Sequence, residues 1–115
     1  MLTEKELELE NKAIVQKYKD LLRTSYQTLS EEDKSQIRLA FEVAVDAHQD
    51  QRRKSGEAYI FHPIAVAQIV AEEIGLDATS IIAALLHDVV EDSDYTLEYI
   101  EEHFGENVAR IVNGL

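Results

Sequence analysis

The stretch that decides the fold is ATSIIAALLHDVVEDSD, residues 78–94. At about 100° per residue, it places Ile82, Leu85, Leu86 and Val89 on one helix face and alanines on much of the other. Its polar side chains gather at the C-terminal end, and they are His87, Asp88, Glu91, Asp92 and Asp94. A helix that is apolar nearly all round is buried on most sides. We therefore expect a central helix, surrounded by others, with one polar end.

Capping residues and amphipathic periodicity predict the helices around it. The residues that cap or open the six predicted helices are, in chain order, Thr3, Ser30, Pro63, Asp77 or Thr79, Thr96 and Glu106. The predicted inward residues of the first three helices are Leu7, Ile14, Tyr18 and Leu21; then Ile37, Phe41, Ala44, Val45 and His48; then Val66, Ile69, Val70 and Ile74. No alternating strand pattern is present. The prediction is an all-α bundle of about six helices in one domain, residues 1–115.

Composition limits the class of protein. The net charge of −12 argues against general nucleic-acid binding, so we expect no DNA partner. The absence of cysteine excludes disulfides and thiolate metal sites. The acidic start MLTEKELELE is unlike a signal peptide, and no apolar run approaches the roughly 20 residues that span a bilayer. We expect a cytoplasmic protein with no membrane contact.

The polar end of the fourth helix is the candidate site of chemistry. Its carboxylates crowd the end where the helix dipole is already negative, and a divalent cation would remove this conflict. His62, at the start of the third helix, offers a second imidazole, and this donor set suits Mn, Fe or Zn. The alternatives are that an acidic helix end is simply solvated, and that His48 is either a packed core histidine or a rival ligand. His103 is expected at the surface.

The segment QRRKSGEAY, residues 51–59, is the most basic part of the chain. Arg52, Arg53 and Lys54 could attract an anion, and Tyr59 could add an aromatic surface or a hydroxyl. The alternative is that these charges only balance an acidic surface.

Three blocks closely resemble the hydrolase domain of the RelA/SpoT alarmone synthetase/hydrolase family: RKSGEAYIFHP, AALLHDVVEDSD and TLEYIEEHFGENVARIVNGL. The resemblance covers about residues 38 to 115, whereas the first ~30 match loosely. It implies an all-helical HD fold with one Mn²⁺ ion. The implied activity is hydrolysis of the 3′-pyrophosphate of (p)ppGpp to GDP or GTP and pyrophosphate, which is alarmone turnover in the stringent response.

The family's functional positions can be carried over residue by residue. They are the metal ligands His62, His87 and Asp88; the acidic pair Glu91 and Asp92, which positions and activates water; and Arg53, Lys54 and Tyr59 around the guanosine nucleotide. Ala58 replaces a proline that is usual in the family. The family's fourth metal ligand, an aspartate, would lie beyond Leu115.

Because that ligand is outside the sequence, we expect residues 1–115 alone to be an incomplete hydrolase domain. They should bind metal weakly, hydrolyse little and be able to self-associate through uncovered apolar surface. Asp88, Glu91 and Asp92 should turn to solvent or pair with Arg53 and Lys54. Two other hypotheses stay open: an HD phosphohydrolase for another nucleotide, and a catalytically silent regulatory HD domain. The RKSGEAY block argues against the first, and the intact acidic pair argues against the second.

Overall fold

The computed structural model describes residues 3–25, 29–73 and 77–114, and these form seven helical segments. Their bounds are α1 Glu4–Ser25, α2 Glu31–Ala47, α3 Phe61–Glu73, α4 Ala78–Leu86, α5 Val89–Asp92, α6 Leu97–Phe104 and α7 Glu106–Gly114. Within the described ranges, β pairing is limited to an isolated bridge between Arg52 and Ala58. The all-α prediction is confirmed, with α4 and α5 together forming the predicted fourth helix. None of the helices in these ranges is both long and apolar enough to cross a membrane.

The predicted caps account for most of the helix starts. Thr3 and Glu6 form a reciprocal box, in which each backbone N–H donates to the other side chain at 3.1 Å. The side chains of Ser30, Asp77 and Thr96 accept from backbone N–H groups in the first turns of α2, α4 and α6. Each contact satisfies a donor that the helix itself leaves unpaired.

Helix α4 lies at the centre of the bundle, and the six consecutive residues 81–86 are all buried. It packs against α2, α3 and α7, while α1 packs on α3. Burial of a Leu or Ile side chain contributes roughly 1.5–3 kcal/mol, so this segment is a large part of the core. Its polar C-terminal end is therefore held in a fixed place relative to the neighbouring helices.

Two of the predicted inward faces are wrong in part. Ile69 is 58% exposed and Leu7 is 42% exposed. The buried residues of α3 are Pro63, Ile64, Ala67 and Ala71. The sequence of α3 is apolar at most positions, so periodicity does not single out one face, and the small alanines allow close packing on α4. In α1 no residue before Ile14 is buried. The predicted positions Ile74 and Gly75 lie outside the described residues.

The predicted fourth helix is not continuous. It is interrupted at His87 and Asp88, which form a turn between α4 and α5. The ring Nδ1 of His87 lies 2.6 Å from the carbonyl oxygen of Ala84. In a continuous helix that carbonyl would accept from the N–H of Asp88, so the imidazole competes with the backbone ladder. The interruption falls at the two residues that carry the predicted chemistry.

Candidate metal centre

Three predicted ligands meet where α3 and α4 pack together. His62 is the second residue of α3, and His87 with Asp88 forms the turn after α4. One donor atom from each of the three residues can be chosen so that all lie within 4.8 Å of one another. The ring centroids of His62 and His87 are 5.6 Å apart. All three residues are half-buried, so a cation among them would be partly shielded from water.

The orientation of the His87 ring leaves one of its nitrogens able to bind a metal. Nδ1 faces the carbonyl oxygen of Ala84, which can only accept, so Nδ1 carries the hydrogen. Nε2 of the neutral ring then presents a lone pair, and it lies 3.0 Å from Oδ2 of Asp88. A lone pair and a carboxylate repel each other at that distance. A positive charge there, either a proton on Nε2 or a metal cation, removes the repulsion.

Asp88 is held from the other side by Tyr59. The tyrosine hydroxyl donates to Oδ2 of Asp88 at 2.6 Å. This hydrogen bond, with desolvation and the nearby carboxylates of Asp88 and Asp92, raises the pKa of Tyr59 to about 12, and the charge of Arg53 opposes the rise. The hydroxyl therefore stays a donor at neutral pH, and it fixes the carboxylate as such partners commonly do for metal ligands.

This donor set fits a divalent cation. Two imidazoles and one carboxylate are ligands that Mn, Fe and Zn accept, and the ring of His87 is already oriented by a backbone carbonyl. Three protein ligands leave positions for water, substrate or another side chain.

His48 does not belong to the metal group that the described residues form. It is buried at 1% exposure, its Nδ1 lies 3.1 Å from Oε1 of Gln51, and its ring packs 4.8 Å from that of Tyr59. These contacts favour the interpretation of His48 as a packed core histidine over its interpretation as a metal ligand. Its Nε2 has no hydrogen-bond partner among the described residues. His103 is exposed, as predicted.

The acidic pair lies directly after the metal group. Glu91 and Asp92 are exposed on α5. The backbone carbonyl of Asp92 accepts from Nε2 of Gln51 at 2.9 Å, which ties α5 to the segment that follows α2. The expected turn toward solvent is therefore seen for this pair. Asp88 differs, because it is bonded to Tyr59 and lies against His87.

A tie between Gln51 and Asp92 was not foreseen from the sequence. The two residues are 41 positions apart, and nothing in the local pattern around Gln51 marks it as a link. Asp92 also lines an open cleft of about 630 Å³ with Asp46, Tyr95 and Tyr99. Asp92 thus borders a space that is accessible from solvent.

The cations of the basic loop, residues 51–60, differ in their contacts. Arg53 and Lys54 are exposed. Arg52 instead grips Glu10 of α1 with both terminal nitrogens, at 2.7 and 2.8 Å. The three residues predicted to bind the nucleotide therefore differ in their surroundings. Arg53 and Lys54 are exposed on the loop, whereas Tyr59 contacts the metal group.

Comparison with known proteins agrees with this fold. A family model described as HD domain matches residues 40–115, about two thirds of the chain. The chain belongs to the HD-domain family.

Individual relatives narrow the likeness to alarmone enzymes. The chain is 51% identical over 87 residues to a guanosine-3′,5′-bis(diphosphate) 3′-pyrophosphohydrolase of Vibrio cholerae, covering 76% of this chain and 12% of the relative. It is 49% identical over 87 residues to the bifunctional (p)ppGpp synthase/hydrolase SpoT of Escherichia coli K12, with the same coverage. It is 53% identical over 79 residues to a probable GTP pyrophosphokinase of Mycobacterium leprae, covering 69% of this chain and 10% of the relative. The chain thus spans about a tenth of the length of these relatives, and the resemblance to the RelA/SpoT hydrolase domain is confirmed.

Proposed function

We propose that this chain is the hydrolase region of an enzyme that removes the 3′-pyrophosphate of (p)ppGpp, giving GDP or GTP and pyrophosphate. The observation that carries the proposal is the convergence of His62, His87 and Asp88, with His87 and Asp88 already oriented by neighbours. Relatives at about 50% identity that are named as (p)ppGpp hydrolases support the choice of substrate.

The proposed metal is a single Mn²⁺ ion held by His62, His87 and Asp88. A divalent cation at this place would polarise the phosphate and make a water more acidic. Nε2 of His87 and the carboxylate of Asp88 would hold it, while Tyr59 keeps the carboxylate from turning away. Three protein ligands would leave positions at which a water and the phosphate could bind.

Glu91 and Asp92 have the proposed task of taking the proton from the attacking water. Both carboxylates are exposed on α5, one turn after Asp88, so they can reach solvent and accept a proton. The Gln51 bond to the carbonyl of Asp92 limits how far α5 can shift. A carboxylate positioned near the phosphorus is useful only when its water is held in place, so this tie supports the role.

Arg53 and Lys54 are proposed to capture the nucleotide. In a chain with net charge −12, these exposed cations locally favour an anion, and a guanidinium can grip phosphate with two bonds or stack on a base. Tyr59, near the end of the same loop, donates to Asp88, so the loop adjoins the metal group. We further propose that the enzyme is cytoplasmic and acts in alarmone turnover during the stringent response.

A substrate panel tests the proposal. The full protein that carries this chain is incubated with Mn²⁺ and, separately, with ppGpp, dGTP and GMP, and released pyrophosphate and phosphate are measured. We expect pyrophosphate from ppGpp alone. Equal activity on dGTP or GMP would favour an HD phosphohydrolase of different specificity, and no activity on any of them would favour a regulatory domain.

A further inference from the structure

The N-terminal helix makes a specific contact with the basic loop. Glu10 lies on α1, before the stretch that matches the HD-domain family, and is 42 residues from its partner. Its two carboxylate oxygens receive the two terminal nitrogens of Arg52 at 2.7 and 2.8 Å. A paired contact of this kind fixes direction as well as distance. The Glu10 side chain is 18% exposed and that of Arg52 is 35% exposed, so the pair lies at the surface with its glutamate partly shielded from water.

The hydrogen bonds of the loop connect its tip to the contact between Arg52 and Glu10. Its base is closed by the N–H of Tyr59 donating to the carbonyl of Gln51 at 3.0 Å, and by the bridge between Arg52 and Ala58. Its tip is a tight turn in which the N–H of Gly56 donates to the carbonyl of Arg53 at 2.8 Å. Gly56 has a φ of +92°, a backbone conformation that residues with a side chain rarely adopt. Arg52 also donates to the carbonyl of Gly56 at 2.9 Å, so one guanidinium joins the tip to α1.

The direction of the neighbouring cation follows from the backbone. Consecutive side chains in an extended segment point to opposite sides. Fastening Arg52 to α1 therefore directs Arg53 to the side away from α1. Tyr59, at the other end of the same loop, donates to Asp88, so the loop adjoins the metal group. Without Glu10, the loop would keep its internal bonds but lose this paired contact to α1.

We propose that Glu10 is a positioning residue for substrate capture, and that its ion pair with Arg52 holds the basic loop so that Arg53 and Lys54 face an incoming nucleotide polyphosphate. This inference rests on the proposed hydrolase function. It gives α1 a role in substrate binding although α1 lies outside the matched family region.

Steady-state kinetics with ppGpp and Mn²⁺ on the full protein that carries this chain tests the inference. The variants are Glu10→Gln, Arg52→Gln and the double variant, and Glu8→Gln is the matched control because it removes the same charge from an exposed position of the same helix. We expect Glu10→Gln to raise KM about two- to fivefold, the range of a single ion pair, and to leave kcat within about twofold. Arg52→Gln should raise KM at least as much, because it also removes the bond to the carbonyl of Gly56. The double variant should show the same KM as Arg52→Gln, because the contact to Glu10 is already broken. Glu8→Gln should match the wild type.

The outcomes separate the inference from the function on which it rests. An unchanged KM in Glu10→Gln, with or without a lower melting temperature, overturns the positioning role. Additive effects in the double variant also overturn it, because they would mean that Glu10 acts independently of Arg52. A wild-type protein that does not hydrolyse ppGpp at all refutes the proposed function itself.

Discussion

The metal group and the basic loop are joined by Tyr59, a loop residue that donates to Asp88, but the two regions are built differently. His62, His87 and Asp88 come from elements anchored in the core, and neighbouring groups fix the last two. Arg53 and Lys54 are exposed on a loop that is held from outside by α1. The residues proposed for bond cleavage are therefore preorganised by the fold, whereas the residues proposed for nucleotide capture depend on one surface ion pair. Substitutions in the two regions should therefore change different kinetic constants.

The largest effect is expected at the metal group. Asp88→Ala removes a proposed ligand and the acceptor of the Tyr59 hydroxyl together. We expect bound Mn²⁺ to be lost and kcat for ppGpp to fall on the order of a thousandfold, matching the several kcal/mol that a metal's charge supplies. Metal content and initial rates are the measurements, with the exposed Asp94→Ala as control. A full metal load in Asp88→Ala would refute its assignment as a ligand.

The acidic pair should separate metal binding from proton transfer. In Glu91→Gln and Asp92→Asn the amide cannot take a proton, so we expect kcat to fall about 10²- to 10³-fold while Mn²⁺ content is unchanged. Metal analysis and kinetics on the same preparations test this. If Glu91→Gln kept the wild-type rate, its assigned role would be wrong.

Tyr59→Phe tests whether the tyrosine serves the metal group or the nucleotide. The resemblance assigns it to the nucleotide, but its hydroxyl donates to Asp88. We expect Mn²⁺ affinity to weaken about 10- to 100-fold, the usual cost of losing such a partner. Activity should recover at high Mn²⁺ concentration. A raised KM for ppGpp at saturating Mn²⁺, with normal metal affinity, would return the residue to the nucleotide-binding set.

The smallest of these effects is expected at the loop. Arg53→Ala should raise KM for ppGpp about tenfold, the loss of one charged hydrogen bond, and leave kcat nearly unchanged. Arg110→Ala, an exposed arginine on α7, is the control. A large loss of kcat in Arg53→Ala with KM unchanged would show that the two regions are not separate.

Much of the fold could be predicted from local sequence. Thr3, Ser30, Asp77 and Thr96 cap helices where predicted because capping depends on residues within one turn. The burial of residues 81–86 followed from their composition. The face of α3 could not be predicted, since an almost wholly apolar helix has several possible inward sides. The break at His87 could not be predicted either, because the imidazole competes for a carbonyl only in this rotamer.

The sequence predicted which residues form the site, but not the long-range hydrogen bonds that hold them in place. His62, His87 and Asp88 meet, as the resemblance implied. The bonds from Gln51 to Asp92 and from Arg52 to Glu10 span 41 and 42 positions, so they depend on how the helices pack and have no local signal. The basic run 52–54 looked uniform in sequence, yet only the fold separates Arg52, which holds the loop, from Arg53 and Lys54.

The central claim is that a cation at His62, His87 and Asp88 supports removal of an intact 3′-pyrophosphate. The most direct measurement uses ppGpp labelled in the outer phosphate of its 3′-pyrophosphate, with Mn²⁺ and the full protein that carries this chain, followed by separation of the products. The account predicts that the label leaves as pyrophosphate and that GDP remains, with no cleavage by Asp88→Ala. Release of the label as orthophosphate, or pyrophosphate release by Asp88→Ala at the wild-type rate, would contradict it.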